Sequence, residues 1–297
     1  MAEIEDKTRA AFEQFKDLYS QVQSEEGTGD PSLDILLHLV EPPFAQLIES
    51  LSIPHWFDEN LVAALLDPAW AGQRDRMLQD LVNLPFVRSH RRGYVYHDVA
   101  RSTLRRYLAH KNLERTRELS AQVAGDFARR RKQDGAEEIY HEWVYHTLAY
   151  DEAAGLTELD TLCTEARRSR RLTTLATLVH LAEEQRAFLS PRGNAQINYY
   201  RGLLAYDLRQ WTEAEAIFGD LAVDELPPVL AQRARLYQGL TFEAEGLWQA
   251  AERVYQAYLG NRNGSEDNPE VSARFYERLA ETHLSQGDEL YCLAMAQ

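Results

Sequence analysis

Apolar residues recur along most of this chain at three- and four-residue spacing, the period of a helix with one buried face. Phe12, Phe15, Tyr19 and Val22 put a single narrow stripe on a helix over 5–23. It is expected to pack on its own domain or to dock on another subunit. Residues 24–31 mix Gly, Pro and polar side chains without a period and read as a linker. Short helices are predicted over 33–39, 43–51, 58–66 and 73–84, with Asp58 as an N-cap and Pro54, Pro68 and Pro85 at the breaks. Phe86-Val87 and Tyr94-Val95-Tyr96 flank a polar turn ending in Gly93, the signal for a short β-hairpin. The next helix, from Asp98 to about His110, is predicted to bury Ala100, Leu104, Tyr107 and Leu108. Between Leu113 and Pro191 the period is helical throughout and four helices are predicted, with breaks near Asp134-Gly135, Asp151 to Gly155 and Arg168 to Arg171.

Helices followed by a two-stranded wing predict a winged-helix-like domain. Beyond residue 190 the chain repeats itself: Gly202, Trp211, Ala214 and Phe218 recur 37 residues later as Gly239, Trp248, Ala251 and Tyr255. The pattern suits stacked helical hairpins, in which the Gly admits a close second helix, the aromatic closes the turn, and Ala and the second aromatic face the neighbour. A weaker third copy has Ala280 in the Gly place, Gly287-Asp288 at the turn and Cys292 in the Ala place, after a loop over 261–268. The sequence stops inside that copy's second helix, which suggests a boundary within a longer protein or a face that a complex covers. The predicted fold is therefore all-α: a helix over 1–23, a linker over 24–31, a winged-helix-like domain with a small β-hairpin over 32–110, a helical arm over 111–190 and an α-solenoid of helical hairpins over 191–297.

The repeat residues resemble the tetratricopeptide (TPR) family, whose period is about 34. The three further residues fit in the turn around Pro227-Pro228. The resemblance implies a concave groove lined by the first helix of each hairpin, which takes peptides or partner helices. Carried over by repeat phase, its facing positions are Gln196, Tyr199, Tyr206 and Asp207, then Arg233 and Glu243, then Arg274, Glu277 and Glu281. Tyr199 and Tyr206 are candidate aromatic anchors, core packing being the alternative for each.

The upstream part resembles the winged-helix and helical-arm region of STAND-type signalling NTPases, including the NB-ARC proteins. The residues that carry this are Trp56-Phe57-Asp58-Glu59-Asn60-Leu61, Leu84-Pro85-Phe86-Val87, Tyr96-His97-Asp98-Val99-Ala100-Arg101, and Ile139-Tyr140-His141 with Leu148. In NB-ARC proteins the His at the wing-to-helix junction meets the β-phosphate of bound ADP, so the resemblance gives His97 that nucleotide-sensing place. No Gly-x-x-x-x-Gly-Lys-Ser/Thr loop occurs in the chain, and the ~32 residues ahead of the winged helix are too few for the strand, loop and helix of such a site. The ATPase then belongs to another chain, or the segment is part of a larger switch, or the winged helix works alone.

Charge adds an asymmetry. The chain carries a net charge of -15, which opposes general affinity for nucleic acid or anionic membrane. Residues 84–132 nevertheless hold 13 Lys and Arg against 4 acids. Arg88, Arg91, Arg92, Arg101 and Arg105 form a candidate basic patch, and three readings stand: docking on an acidic partner or on the chain's own acids, phosphate contact by a DNA-binding winged helix, and a solvated face. Arg74 and Arg76 on the predicted recognition helix lie beside Asp75 and Asp80, a mixed face. Two cysteines far apart, Cys163 and Cys292, support neither a disulfide framework nor a zinc site. No apolar run approaches a membrane span and the acidic start is unlike a signal peptide, so a reducing cytoplasm is the expected setting.

His141 and His146 bracket Glu142 in a stretch that looks like a zinc-protease motif, but five residues apart they diverge by about 140° around a helix. His97 and Asp98 are adjacent and diverge as well. No catalytic residue, metal or cofactor is assigned. The expected function is a non-enzymatic adaptor or sensor module of a STAND-like signalling or defence system. It would bind a protein partner in the repeat groove, such as an NTPase or effector on another chain. A winged-helix DNA-binding regulator is the alternative.

Overall fold

The computed structural model describes Leu37 and residues 40–260 and 268–285. The predicted helices over 5–23 and 33–39, the linker over 24–31, most of the 261–268 loop and the third copy's turn and second helix lie outside these residues, apart from Leu37, which is helical. The described chain is all-α apart from one antiparallel pair of strands, with thirteen α-helices. It divides into two compact units at Asp151/Glu152. That boundary falls inside the segment read from sequence as a helical arm over 111–190.

The first unit opens with α1 (Pro42–Ser50), α2 (Glu59–Leu65) and α3 (Arg74–Val82). Asp58 caps α2 as expected, its carboxylate accepting the Leu61 N–H at 2.9 Å, which satisfies a backbone donor that the helix itself leaves open. Strands β1 (Val87–His90) and β2 (Gly93–Tyr96) pair in the register Val87 to Tyr96. Phe57, before α2, adds a single bridge to β2, exchanging both backbone hydrogen bonds with Tyr94. Gly93 sits at φ +133° beneath the Phe57 carbonyl, where a Cβ would overlap that oxygen, so the hairpin turn requires glycine. Three longer helices follow: α4 (Asp98–Lys111), α5 (Leu113–Arg131) and α6 (Glu137–Tyr150). Phe57, Phe86 and Tyr96 meet edge to face at 5.2 to 5.3 Å inside a core that also buries Leu61, Leu104 and Phe127.

The second unit is a run of helical hairpins. The first helices are α7 (Glu152–Arg168), α9 (Pro191–Asp207), α11 (Pro228–Ala244) and α13 (Pro269–Ser285), each of 17 residues. The second helices are α8 (Leu172–Glu184), α10 (Trp211–Gly219) and α12 (Trp248–Gly260). Each of the three reversals takes three residues, the middle one left-handed: Arg170 at φ 54°, Arg209 at φ 61° and Gly246 at φ 76°. The same two hydrogen bonds close every turn. The third turn residue donates five residues back (Arg171 to Ala166, Gln210 to Ala205, Leu247 to Phe242, at 2.8 to 2.9 Å), and the middle one donates three residues back. This cap satisfies carbonyls that the ending helix would otherwise leave without a partner. Within the hairpins the repeated Gly faces the repeated aromatic, since a Cβ on Gly202 would overlap Phe218 and one on Gly239 would overlap Tyr255.

Counting from the turns, an upstream copy emerges that lacks this signature. Cys163 lies 39 residues before Gly202, as Arg170 lies 39 before Arg209, and it is fully buried where Val179 stands in place of Phe218. The array therefore begins at Glu152, and Gly155, expected at a break, lies inside α7.

Left-handed backbone costs a residue with a Cβ about 1 kcal/mol, and glycine escapes most of it. Arg209→Gly is therefore expected to raise stability by up to ~1 kcal/mol and Gly246→Ala to lower it by about as much, read from urea midpoints. Equal midpoints for both variants and the parent would show that these turns are not the helix caps described.

Candidate partner-binding groove

The first helices α7, α9 and α11 line a cavity of 760 Å³, a ligand-sized volume. Its apolar surface comes from Ala153 and Leu156 on α7, Val229 and Leu230 on α11 and Pro227 before it. Glu152, Thr157, Asp160, Ser190, Arg192, Gln196 and Arg233 supply the polar lining. Ala153 and Val229 are exposed.

Hydrogen bonds between the first helices set their spacing. Near the start of α7 the Glu152 carboxylate accepts the Ser190 N–H at 3.1 Å and the Ser190 hydroxyl, while Ser190 caps α9 through Gly193. Gln196 donates to the Leu156 carbonyl at 3.4 Å, and the Tyr200 hydroxyl donates to Asp160. At the other end one guanidinium ties three helices. Arg167 of α7 donates to both oxygens of Asp207 at the end of α9 (2.6 and 2.9 Å), and to the Tyr237 hydroxyl of α11 at 3.1 Å. Burial works against the Arg167 charge, but Asp207 and Tyr237 outweigh it and its pKa is raised.

The predicted groove residues fall in several surroundings. Gln196 and Arg233 line the cavity. Tyr199 is 2% exposed and packs edge on to Tyr200, so its ring lies in the core and not on the groove surface. Tyr206 is half-buried between Trp211 and Tyr237, ring centroids 5.3 and 5.1 Å away, and Asp207 belongs to the Arg167 tie. Glu243 is buried. It accepts the Tyr255 hydroxyl at 2.9 Å and pairs with Arg278 of α13, joining three helices as Arg167 does. Arg274, Glu277 and Glu281 are exposed on α13, where Arg274 pairs with Glu270 and Glu281 with Arg278. Sequence phase missed Glu152, Ala153, Leu156, Asp160 and Arg192, because the repeat was counted from Gly202 and its upstream copy shows neither Gly nor aromatic.

The five arginines of the basic patch do not form one open surface. Arg91 and Arg92 in the β1–β2 turn both reach Glu138 at the start of α6, and Arg92 also reaches Asp134 and lies over Trp56. Arg101 donates to the Pro54 carbonyl at 3.1 Å and to the Tyr145 hydroxyl at 2.8 Å, and Arg105 stands over the same ring at 5.3 Å. Arg88 is exposed on β1. Sequence reasoning overlooked Arg130, which bonds both oxygens of Asp58 (2.7 and 2.8 Å) and also Asp126, so that α5 grips the capped start of α2. His97 is the half-buried N-cap residue of α4, with its N–H on the Phe86 carbonyl and its own carbonyl on the Arg101 N–H.

The two histidines of the zinc-protease-like stretch diverge as their spacing requires. His141 turns to Glu137 at 3.7 Å, whereas His146 is fully buried, stacked on Phe127, with Nε2 3.3 Å from Glu142. His55 closes on the same carboxylate at 2.8 Å. No group of three or more His, Cys, Asp or Glu side chains among the described residues is placed to hold a metal ion. Burial pushes His146 down to about 4, against a partial recovery from Glu142. Burial would raise Glu142, but His55 and His146 overcome it and hold the carboxyl well below its usual range.

Both shifts have the same sign of linkage. The folded state disfavours protonation of His146 and of Glu142, so their contribution is complete above about pH 6.5 and is lost as the pH falls toward 4 and below. Urea midpoints are expected to drop by a few kcal/mol equivalent over that interval, and the drop should shrink in His146→Gln. Parallel pH profiles for the two proteins would remove this cluster as the source.

Comparison with protein-family models, curated proteins and solved structures returned no match, so the reading of function rests on this geometry.

Proposed function

We propose that this chain is a non-enzymatic protein-interaction module whose TPR-like array holds a segment of a protein partner in the groove between its first helices. The observation that carries the proposal is the cavity lined by α7, α9 and α11, three helices of equal length, of which α7 and α9 are bonded to each other at both ends and α11 joins them through Tyr237 on Arg167. A surface built this way is rigid before the partner arrives, and preorganisation lowers the ordering cost of binding.

The upstream unit fits the winged-helix part of the reading in its order of elements: a helix, the bridging Phe57, two helices, then a hairpin paired beside Phe57. In a STAND-like signalling or defence system such a unit would relay or dock, with an NTPase or effector on another chain as the partner. What weighs against the DNA-binding alternative is the use of its cations. Arg91, Arg92 and Arg101 are occupied by partners of their own unit, and on α3 Arg74 pairs with Asp75 and Arg76 with Asp80. Phosphate contact would have to displace those bonds.

Ala153→Trp combined with Val229→Trp fills the cavity from two exposed positions and should leave the thermal midpoint within a few degrees of the parent. Affinity purification from the native host is expected to recover a protein partner with the parent chain and to lose it with the double variant. Recovery of the same partner by both would sink the groove as the binding site.

A further inference from the structure

We infer that the cavity between α7, α9 and α11 takes an acidic peptide segment, one in which one or two carboxylates flank an apolar side chain. This rests on the reading of the groove as the partner site and goes further, to the chemistry of the occupant.

Most polar groups of the lining already have partners within the array. Glu152 accepts from both the N–H and the hydroxyl of Ser190, and Asp160 accepts the Tyr200 hydroxyl. Both acids are thereby turned into the joints that hold the helices. Gln196 spends its amide on the Leu156 carbonyl. Arg192, the second residue of α9, and Arg233, the sixth of α11, are different: both border the cavity, and neither makes an ion pair or hydrogen bond with a described residue. Several other arginines of the same unit are engaged. Arg167 holds Asp207, Arg186 holds Glu183, Arg201 reaches Glu213, and Arg278 holds Glu243. In a chain with 47 acids to 32 Lys and Arg, acidic partners are abundant, yet these two guanidiniums face the cavity with their donors open.

A guanidinium presents a planar fork that matches a carboxylate, and a bond charged at both ends is about twice as strong as a neutral one. Two such forks on separate helices, lining one cavity with Ala153, Leu156, Val229 and Leu230, match acids set about an apolar side chain. A nucleic acid is the poorer occupant. Its affinity comes from many phosphate contacts, whereas the cavity offers two cations beside Glu152 and Asp160 on a chain of net charge -15.

The test pans a phage-displayed library of random dodecapeptides against the full chain, then measures selected peptides by fluorescence anisotropy. Selected sequences are expected to be enriched in Asp and Glu next to Leu, Val or Ala. Their affinity should fall about tenfold or more with Arg192→Glu plus Arg233→Glu, fall less with the Gln pair, and fall alike when the peptide's acids become Gln. Affinity should also weaken as salt rises. Circular dichroism melts of both protein variants check that the fold is retained, as expected for an exposed and a half-exposed side chain. Peptides that bind the groove but show no acidic enrichment, or that bind the Glu pair as tightly as the parent, overturn the inference and leave the groove reading in place. A library that yields no binder at all overturns both.

Discussion

Each of the three described hairpins of the second unit reverses within three residues, and the left-handed residue at the middle of that turn is the constraint on which the groove depends. A longer turn would leave the angle between paired helices open. Here Arg170, Arg209 and Gly246 hold the same backbone bend, the same two carbonyls are capped, and first helices of the same length emerge in phase. Phase then decides which side chains meet. Gly202 and Gly239 fall against Phe218 and Tyr255, and the close approach they allow keeps the second helices on one side, so that the first helices share the other.

Polar groups finish what backbone geometry starts. Arg167 and Glu243 each sit where three helices converge and bond to two others, so the spacing of the array is fixed by directional contacts as well as by apolar packing. The first unit works on the same principle with the charges reversed in emphasis. Arg130 holds Asp58 and Asp126, Arg91 and Arg92 hold Glu138, and Arg101 holds loop carbonyls, so part of the charge of a strongly basic stretch is paired within its own unit. Removing one member of the half-buried set Arg130, Asp58 and Asp126 leaves a charge without its partner, which is why these bonds matter more than the exposed Arg91–Glu138 pair.

Much of this was legible in the sequence. Helical period, the Asp58 cap and the hairpin at Gly93 appear where local chemistry placed them, because each depends on residues close in the chain. The 37-residue repeat marks Gly202, Phe218, Gly239 and Tyr255 as packing positions of helical hairpins, and the structure adds that each Gly meets the aromatic sixteen residues on. What stayed hidden has a physical reason in each case. The hairpin of α7 and α8 uses Cys163 and Val179 where later copies use Gly and an aromatic, and arginine at the left-handed position of two turns removed the glycine signal. Burial of Tyr199 and Glu243 depends on partners 12 to 39 residues away or on the stacking of neighbouring repeats, which repeat phase alone does not resolve. The basic patch was counted as a run of charge, and its acids lie up to 72 residues away.

The account holds that α7, α9 and α11 present a preformed face to a protein partner. Hydrogen exchange of the full chain, with and without a partner purified from its host, tests that claim most directly. The account predicts that protection rises in peptides covering 152–160, 190–200 and 227–235 and stays level over the hairpin at 87–96. Protection that rises at the hairpin and in α3, with the three first helices unchanged, would contradict it.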